Sequence, residues 1–272
     1  MLDNLVKKTS KCHIQFMSDL HLERIDYHFQ IERYAPTLIL GGDIGRFCDL
    51  EKYRDFLRKQ CEQFDQVLLV AGNHEFYGST REEGFAAVHE LTNDPCLNNL
   101  TFMHRAKVSI PNNDVIVLGC TLQSHIGPDC GRFTNDFKRI KEWSIEKHNA
   151  EHDLDSQWLE LSLREIADED PSQRVIVATH YAPAFEKTCH PDNERNAASQ
   201  CFSSDTLEAS RNWIGAKQVT HWIFGHTHWN ASFKFRNTVV ISNQLCNDSK
   251  NLNWLQKHTI YRAFDPKAVI QT

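Results

Sequence analysis

The chain has no excess of positive charge: 30 lysines and arginines stand against 36 aspartates and glutamates in 272 residues, a formal net charge of −6. That balance excludes the electrostatic footprint needed to wrap nucleic-acid backbone or to dock on anionic lipid. No apolar run is long enough to span a bilayer, and Met1 to Lys11 are polar and mixed, without the apolar core of a signal peptide. A soluble, cytoplasmic protein with no membrane or nucleic-acid partner is expected. Paired cysteines are also missing. Nine cysteines, an odd count, are scattered without a CxxC pair, which argues against a disulfide framework and a thiolate zinc site. There is no Gly-x-Ser-x-Gly elbow for a serine nucleophile, and Cys189 has only His190 beside it. Gly41-Gly42-Asp43-Ile44-Gly45 lacks the lysine and the glycine spacing of a phosphate-binding P-loop.

Repeats, low-complexity tracts and Pro/Gly/Ser linkers are absent as well, so residues 1–272 read as one domain. What is present is a strand-then-helix rhythm. His13 to Met17, Thr37 to Leu40 and Gln66 to Ala71 are short apolar runs of the kind that form strands buried on both faces. Between the last two, Leu50, Tyr53, Phe56, Leu57, Cys61 and Phe64 recur at helical spacing, predicting a crossover helix over Asp49 to Phe64. Val115 to Cys120, Arg174 to Ala178 and Val219 to Phe224 read as further buried strands. Ser232 to Phe235 and Val239 to Ser242 read as a hairpin around Arg236-Asn237. Ser124 to Asn149, with a helical part from about Phe137, and Ala184 to Asp205 are irregular, and long irregular segments often carry function.

Each of five polar blocks follows an apolar run: Asp19-Leu20-His21, Gly42-Asp43, Gly72-Asn73-His74-Glu75, His180, and Gly225-His226-Thr227-His228. Carboxylate, amide and imidazole are the groups that hold a pair of divalent ions, and strand carboxyl ends are where open α/β sheets gather their sites. Asp19 and His21, one residue apart, can lean the same way toward one ion. Asp43 follows two glycines that permit a tight turn, and a bridging role between two ions fits it. Asn73 supplies a neutral amide oxygen. Adjacent residues rarely both reach one ion, which leaves His74 for proton work. His226 and His228 repeat the one-residue gap, and His180 completes the set. Mixed oxygen and nitrogen donors suit manganese, iron and zinc alike.

In this pattern the chain resembles the calcineurin-like metallophosphoesterases, whose signature is D-x-H, GD, GNH(D/E), H and G-H-x-H. The resemblance spans about Ile14 to Ile241 and implies an α/β fold, a four-layer α/β/β/α sandwich of two mixed sheets flanked by helices. It implies one metal on Asp19, His21, Asp43 and His228, and a second on Asp43, Asn73, His180 and His226, manganese being the expected ion. It further implies in-line attack on phosphorus by a hydroxide shared between the ions, with His74 protonating the leaving oxygen. Glu75 would orient the loop or His74, or else be a solvent-facing carboxylate or helix cap. The GD-x-x-D-R-G motif of the protein phosphatases is absent, since Ile44-Gly45-Arg46-Phe47-Cys48 follows Asp43. That points to the branch with cyclic-nucleotide and other small phosphodiesterases. Some compact cytosolic relatives release 4′-phosphopantetheine from carrier proteins. Expected substrates are therefore phosphoesters, with diesters ahead of monoesters and a phosphopantetheinylated carrier as an alternative; a non-catalytic scaffold of the same fold is the remaining reading. His125, Arg132, Asn135, Asn193 and Arg195, in the two irregular segments, are the candidate substrate contacts.

Overall fold

Alternation along the strands explains the layering. In β1 (His13–Met17), β2 (Thr37–Gly41) and β3 (Gln66–Val70), Ile14, Phe16, Ile39, Leu68 and Val70 face one way, and Met17, Leu38, Leu40, Val67 and Leu69 face the other. The computed structural model describes residues 11–247 and 252–272, so the polar Met1–Lys11 segment lies, except for Lys11, outside the described residues. Strands β4 (Leu100–Phe102) and β11 (Val269–Gln271) complete a sheet of order β11-β1-β2-β3-β4, parallel throughout except for β11. A second sheet has the order β5-β6-β7-β8-β10-β9, from β5 (Ala106–Ser109), β6 (Val115–Cys120), β7 (Arg174–Thr179), β8 (Val219–Phe224), β9 (Ser232–Phe235) and β10 (Thr238–Ser242). Its edge strands β5 and β9 are antiparallel to their neighbours and the rest are parallel.

Ile14, Phe16, Leu68 and Val70 pack against Val115, Val117, Ile176 and Ile223 between the sheets. On the outer face of the first sheet, Leu38, Leu40 and Leu69 meet Tyr53, Phe56 and Leu57 of helix Leu50–Gln63 and Val88 and Leu91 of helix Arg81–Thr92. On the outer face of the second, Val175, Val177 and Trp222 meet Leu159, Leu163 and Ile166 of helix Ile145–Glu169. The result is a four-layer α/β/β/α sandwich of two mixed sheets.

The helix expected over Asp49–Phe64 and the hairpin at Arg236-Asn237 are both present. The 25-residue helix Ile145–Glu169 extends well beyond the helical part expected from about Phe137, and the N-terminal half of its buried face is polar: His148, His152 and Asp155 point inward there. Those groups bind the chain that follows β6. Asp155 accepts from Leu122 N at 2.8 Å, His152 Nδ1 meets Gln123 O, and Asn149 exchanges two bonds with Ile126 at 2.9 Å. No helix among the described residues is long and apolar enough to cross a membrane.

Candidate metal centre

Parallel registry puts the strand ends in a row. Met17 lies beside Leu40, Gly41 beside Val70, Cys120 beside Thr179, and Ala178 beside Ile223, and the polar blocks begin one to three residues past these ends. The chain then turns hard. Asp19 (φ 55°), His21 (φ 48°), Asp43 (φ 52°), His226 (φ 71°) and His228 (φ 50°) all have left-handed backbone, a conformation that costs a non-glycine residue on the order of 1 kcal/mol or more. The loops hold one another in it. Asp19 N donates to Gly42 O at 3.0 Å, His21 N to Asp43 O at 2.9 Å, His74 N to Asp43 Oδ1 at 2.9 Å and His226 N to Asp19 Oδ1 at 3.1 Å. Glycine is required where these loops close up. A Cβ at Gly72 would lie 2.2 Å from Asp43 Oδ1, and one at Gly42 would lie 2.4 Å from His180 Nδ1.

Three overlapping sets of ligand atoms converge at this rim: Asp19, His21 and His228; Asp43, His180 and His226; and His21, Asp43 and His74, each set within 4.8 Å of one another. His180 Nε2 is 3.3 Å and His21 Nε2 is 3.9 Å from Asp43, and His228 Nε2 is 3.6 Å from Asp19. Asp43 thus stands between the other two groups. Three buried atoms in the cluster, Asn73 Oδ1, His180 Nε2 and His226 Nε2, have no hydrogen-bond partner, which is costly unless something else engages them. Carboxylate, amide oxygen and ring nitrogen without a competing thiolate are the donors a pair of divalent cations takes, so these residues fit such a pair. Burial opposes charge on Asp43, but the imidazoles of His180, His74 and His21 outweigh it and keep the carboxyl ionised. Burial also opposes charge on His180, yet Asp43, Asp19 and Glu75 draw a proton onto it and raise it to about 10; the same field would draw a cation. Burial and the charge on His180 keep His226 neutral, as a ligand imidazole must be.

Support comes from three carboxylates. Glu23 Oε1 lies 2.9 Å from His74 Nδ1 and 3.4 Å from His21 Nδ1, which turns the Nε2 edge of both rings inward. Burial would raise Glu23, but the hydrogen bonds and charges of the two rings prevail and hold it at about 2. Glu75 is fully buried and accepts from the amides of Asp43, Ile44, Gly45 and Gly72 and from the Tyr53 hydroxyl. It is neither solvent-facing nor a cap; it ties the Asp43 loop to the Asn73 loop. Asp136 is buried and accepts from Asn73 Nδ2 at 2.8 Å, Tyr77 Oη at 2.7 Å and Tyr181 Oη at 3.0 Å, which leaves Asn73 Oδ1 facing the cluster. Glu23 and Asp136 stand outside the five sequence blocks. A carboxylate two residues past a candidate ligand histidine is a usable sign for Glu23; for Asp136 there is none, because its partners come from distant segments.

A family model for calcineurin-like phosphoesterases matches residues 13–230. The chain belongs to this family. Among curated proteins, an uncharacterized protein of Acanthamoeba polyphaga mimivirus is 24% identical, and the match covers 85% of this chain and 90% of the relative. Among solved structures, the phosphopantetheinyl hydrolase of Mycobacterium tuberculosis superposes with a TM-score of 0.63 at 14% identity, covering 87% of this chain and 90% of the other. A dimetal phosphatase from Danio rerio superposes with a TM-score of 0.53 at 14% identity, covering 86% and 87%. At such identities these two likenesses concern the fold.

In this calcineurin-like phosphoesterase a cleft of about 390 Å³ opens over Asp43, Asn73, His74, His226 and His228. Its walls come from the two irregular segments: Phe133, Thr134 and Asn135 on one side, and Cys189, Asn193, Asn196 and Phe202 on the other. The segments brace each other, with Gly127 N donating to Gln200 Oε1 at 2.8 Å and Cys201 Sγ to Cys130 O at 3.2 Å. Of the candidate substrate contacts, Asn135 and Asn193 line this cleft. His125, Arg132 and Arg195 do not. His125 is exposed and meets the His152 ring edge-on, Arg132 lies over the Phe133 ring 4.9 Å away beside a separate hollow, and Arg195 pairs with Glu186.

Proposed function

We propose that this chain is a two-metal phosphoesterase that hydrolyses a phosphodiester. The observation that carries the reading is the set of buried Asn73 Oδ1 and His226 Nε2, neither with a hydrogen-bond partner, together with His180 Nε2 at 3.3 Å from Asp43, all gathered around that carboxylate. In this proposal Asp19, His21, Asp43 and His228 hold one divalent ion and Asp43, Asn73, His180 and His226 the other, with manganese as the first ion to test. When bound, two such ions supply an activated water and neutralise charge on the phosphoryl oxygens. The chain's own groups do the rest. Glu23 engages His74 Nδ1 and leaves Nε2, 3.9 Å from Asp43 Oδ2, to pass a proton to the leaving oxygen. Burial disfavours the charged ring, but Asp43 and Glu23 raise the His74 pKa.

A diester is favoured because two hollows, the cleft and a second of about 300 Å³, share Arg24, His74, Tyr77 and Asn135 and so offer room for two arms. Release of 4′-phosphopantetheine from a carrier protein is one such reaction. Its support is the fold likeness to the mycobacterial hydrolase. The test offers bis(p-nitrophenyl) phosphate and p-nitrophenyl phosphate to manganese-loaded protein. Diester turnover that Asp43→Asn and His74→Ala both reduce is expected. Monoester turnover alone would replace the diester reading, and no turnover by fully loaded protein would leave a binding scaffold. His74 also approaches the His21 and Asp43 ligand atoms. If His74→Ala lost an equivalent of metal, His74 would be a ligand and not the acid.

A further inference from the structure

The second hollow differs in charge from the chain around it. Arg24, Arg46 and Arg139 line it, together with His74, Tyr77 and Asn135, in a protein whose net charge is −6. Of the acidic groups nearby, Asp49 is fully committed and Glu23 is committed through one oxygen. Asp49 takes Arg46 in two bonds of 2.9 and 3.0 Å, and Glu23 uses Oε1 for His74 and His21. Glu23 Oε2 is buried without a partner in the same wall, and it reaches Arg24 only through Oε1 at 3.8 Å. Arg139 has no ion pair among the described residues; its guanidinium lies 5.2 Å over the Tyr77 ring, which stacks in turn on the His74 ring at 4.2 Å. A ladder of guanidinium, phenol and imidazole thus joins a cation without a counter-ion to the proposed proton donor. The single helical turn Asp136–Arg139 keeps it in place, because Arg139 O accepts from Gly78 N at 2.8 Å and Asp136 anchors Tyr77 from beneath.

We infer that this hollow is a phosphate subsite: the arm of the substrate that leaves past His74 carries a second phosphoryl group, received by Arg139 and Arg24. The inference rests on the phosphodiesterase reading, and it names the substrate class within it. Arginine is suited to the task because its planar fork meets phosphate oxygens two at a time. Asn135 adds a neutral amide at the junction of the two hollows.

The test uses manganese-loaded full-length protein and the dinucleotide TpT with its two singly phosphorylated forms, pTpT and TpTp, one of which puts the added phosphate on the leaving arm. That form should exceed TpT in kcat/KM by about tenfold or more. The ratio should fall toward unity in Arg139→Gln, remain intermediate in Arg139→Lys and fall further in Arg24→Gln/Arg139→Gln. Unchanged melting temperatures would show that these exposed substitutions leave the fold intact. Titration calorimetry with thymidine 3′,5′-bisphosphate against thymidine 5′-monophosphate gives a reading without turnover, with the same preference and the same loss in Arg139→Gln. Turnover of bis(p-nitrophenyl) phosphate with no preference for the added phosphate, or a preference that survives both arginine substitutions, would overturn the subsite. A calorimetric preference in a protein that turns over no ester would keep the subsite and overturn the esterase reading.

Discussion

The floor of the cleft and its walls are built on opposite terms. On the floor, five of the candidate ligands have left-handed backbone and three buried polar atoms lack partners, so local stability has been given up for convergence. The walls, at 133–135 and 189–203, come from turns that satisfy one another, such as Gly127 with Gln200 and Cys201 with Cys130. A floor of this kind tolerates little change, because each group is placed by several others. Walls of this kind can change residue by residue while the floor stays intact; under the proposed function, selectivity would lie in the walls and chemistry on the floor.

The comparison can be broken most directly at Asp43, which faces both ligand groups. Asp43→Asn should lower turnover by about a thousandfold or more, and elemental analysis of the purified protein should find less than the full complement of metal. His74→Asn comes next, with a loss of about 10²–10⁴-fold in kcat and metal content unchanged. A proportionate loss of metal would move His74 from proton transfer to ligation. The supporting carboxylates should show smaller effects. Asp136→Asn removes the acceptor that orients the Asn73 amide, and Glu23→Gln weakens the clamp on two imidazoles; each should weaken metal affinity about 10–100-fold by calorimetry. Wild-type affinity in both variants would mean that these groups serve the fold alone. On the walls, Asn193→Ala should change KM by only a few fold at constant kcat; a large drop in kcat would erase the distinction between floor and wall.

Stability against pH sharpens the contrast at helix Ile145–Glu169, which anchors the chain after β6. His148 is buried beside Ser124, and burial, with His152 and Arg81 nearby, lowers its pKa to about 4. The unfolded chain takes up a proton near the ordinary histidine value of about 6.5, whereas the folded one resists until about 4. Below pH 6.5 the unfolded state therefore binds more protons. The contribution is fully present above that pH and is lost as pH falls, at up to about 1.4 kcal/mol per unit. Urea unfolding of wild type and His148→Gln across this window should show a shallower pH slope in the variant; identical slopes would place the effect elsewhere.

Much of the fold was legible because buried parallel strands are apolar-rich runs: β2, β3 and β6 are nearly continuous, and β1, β7 and β8 are apolar over most of their length. Helix Ile145–Glu169 was legible only in part, because its inward face carries His148, His152 and Asp155 to bind the loop after β6. Strand β11 is three residues long and is identifiable only by its pairing with β1. At the site, the five blocks could be read because each candidate ligand follows a strand closely. Loop residues such as Arg132 and Arg195 could not be aimed from sequence, since local partners, the Phe133 ring and Glu186, decided where they point.

By itself the sequence determined which candidate ligand groups are present, their order along the chain and the alternation that stacks two sheets between helices, because these depend on residue type and near-neighbour spacing. Only the tertiary structure decided that Glu23 and Asp136 stand behind His74 and Asn73, and that two unrelated segments enclose the cleft. Contacts between residues tens of positions apart are set by how sheets and helices pack, and no local pattern encodes them.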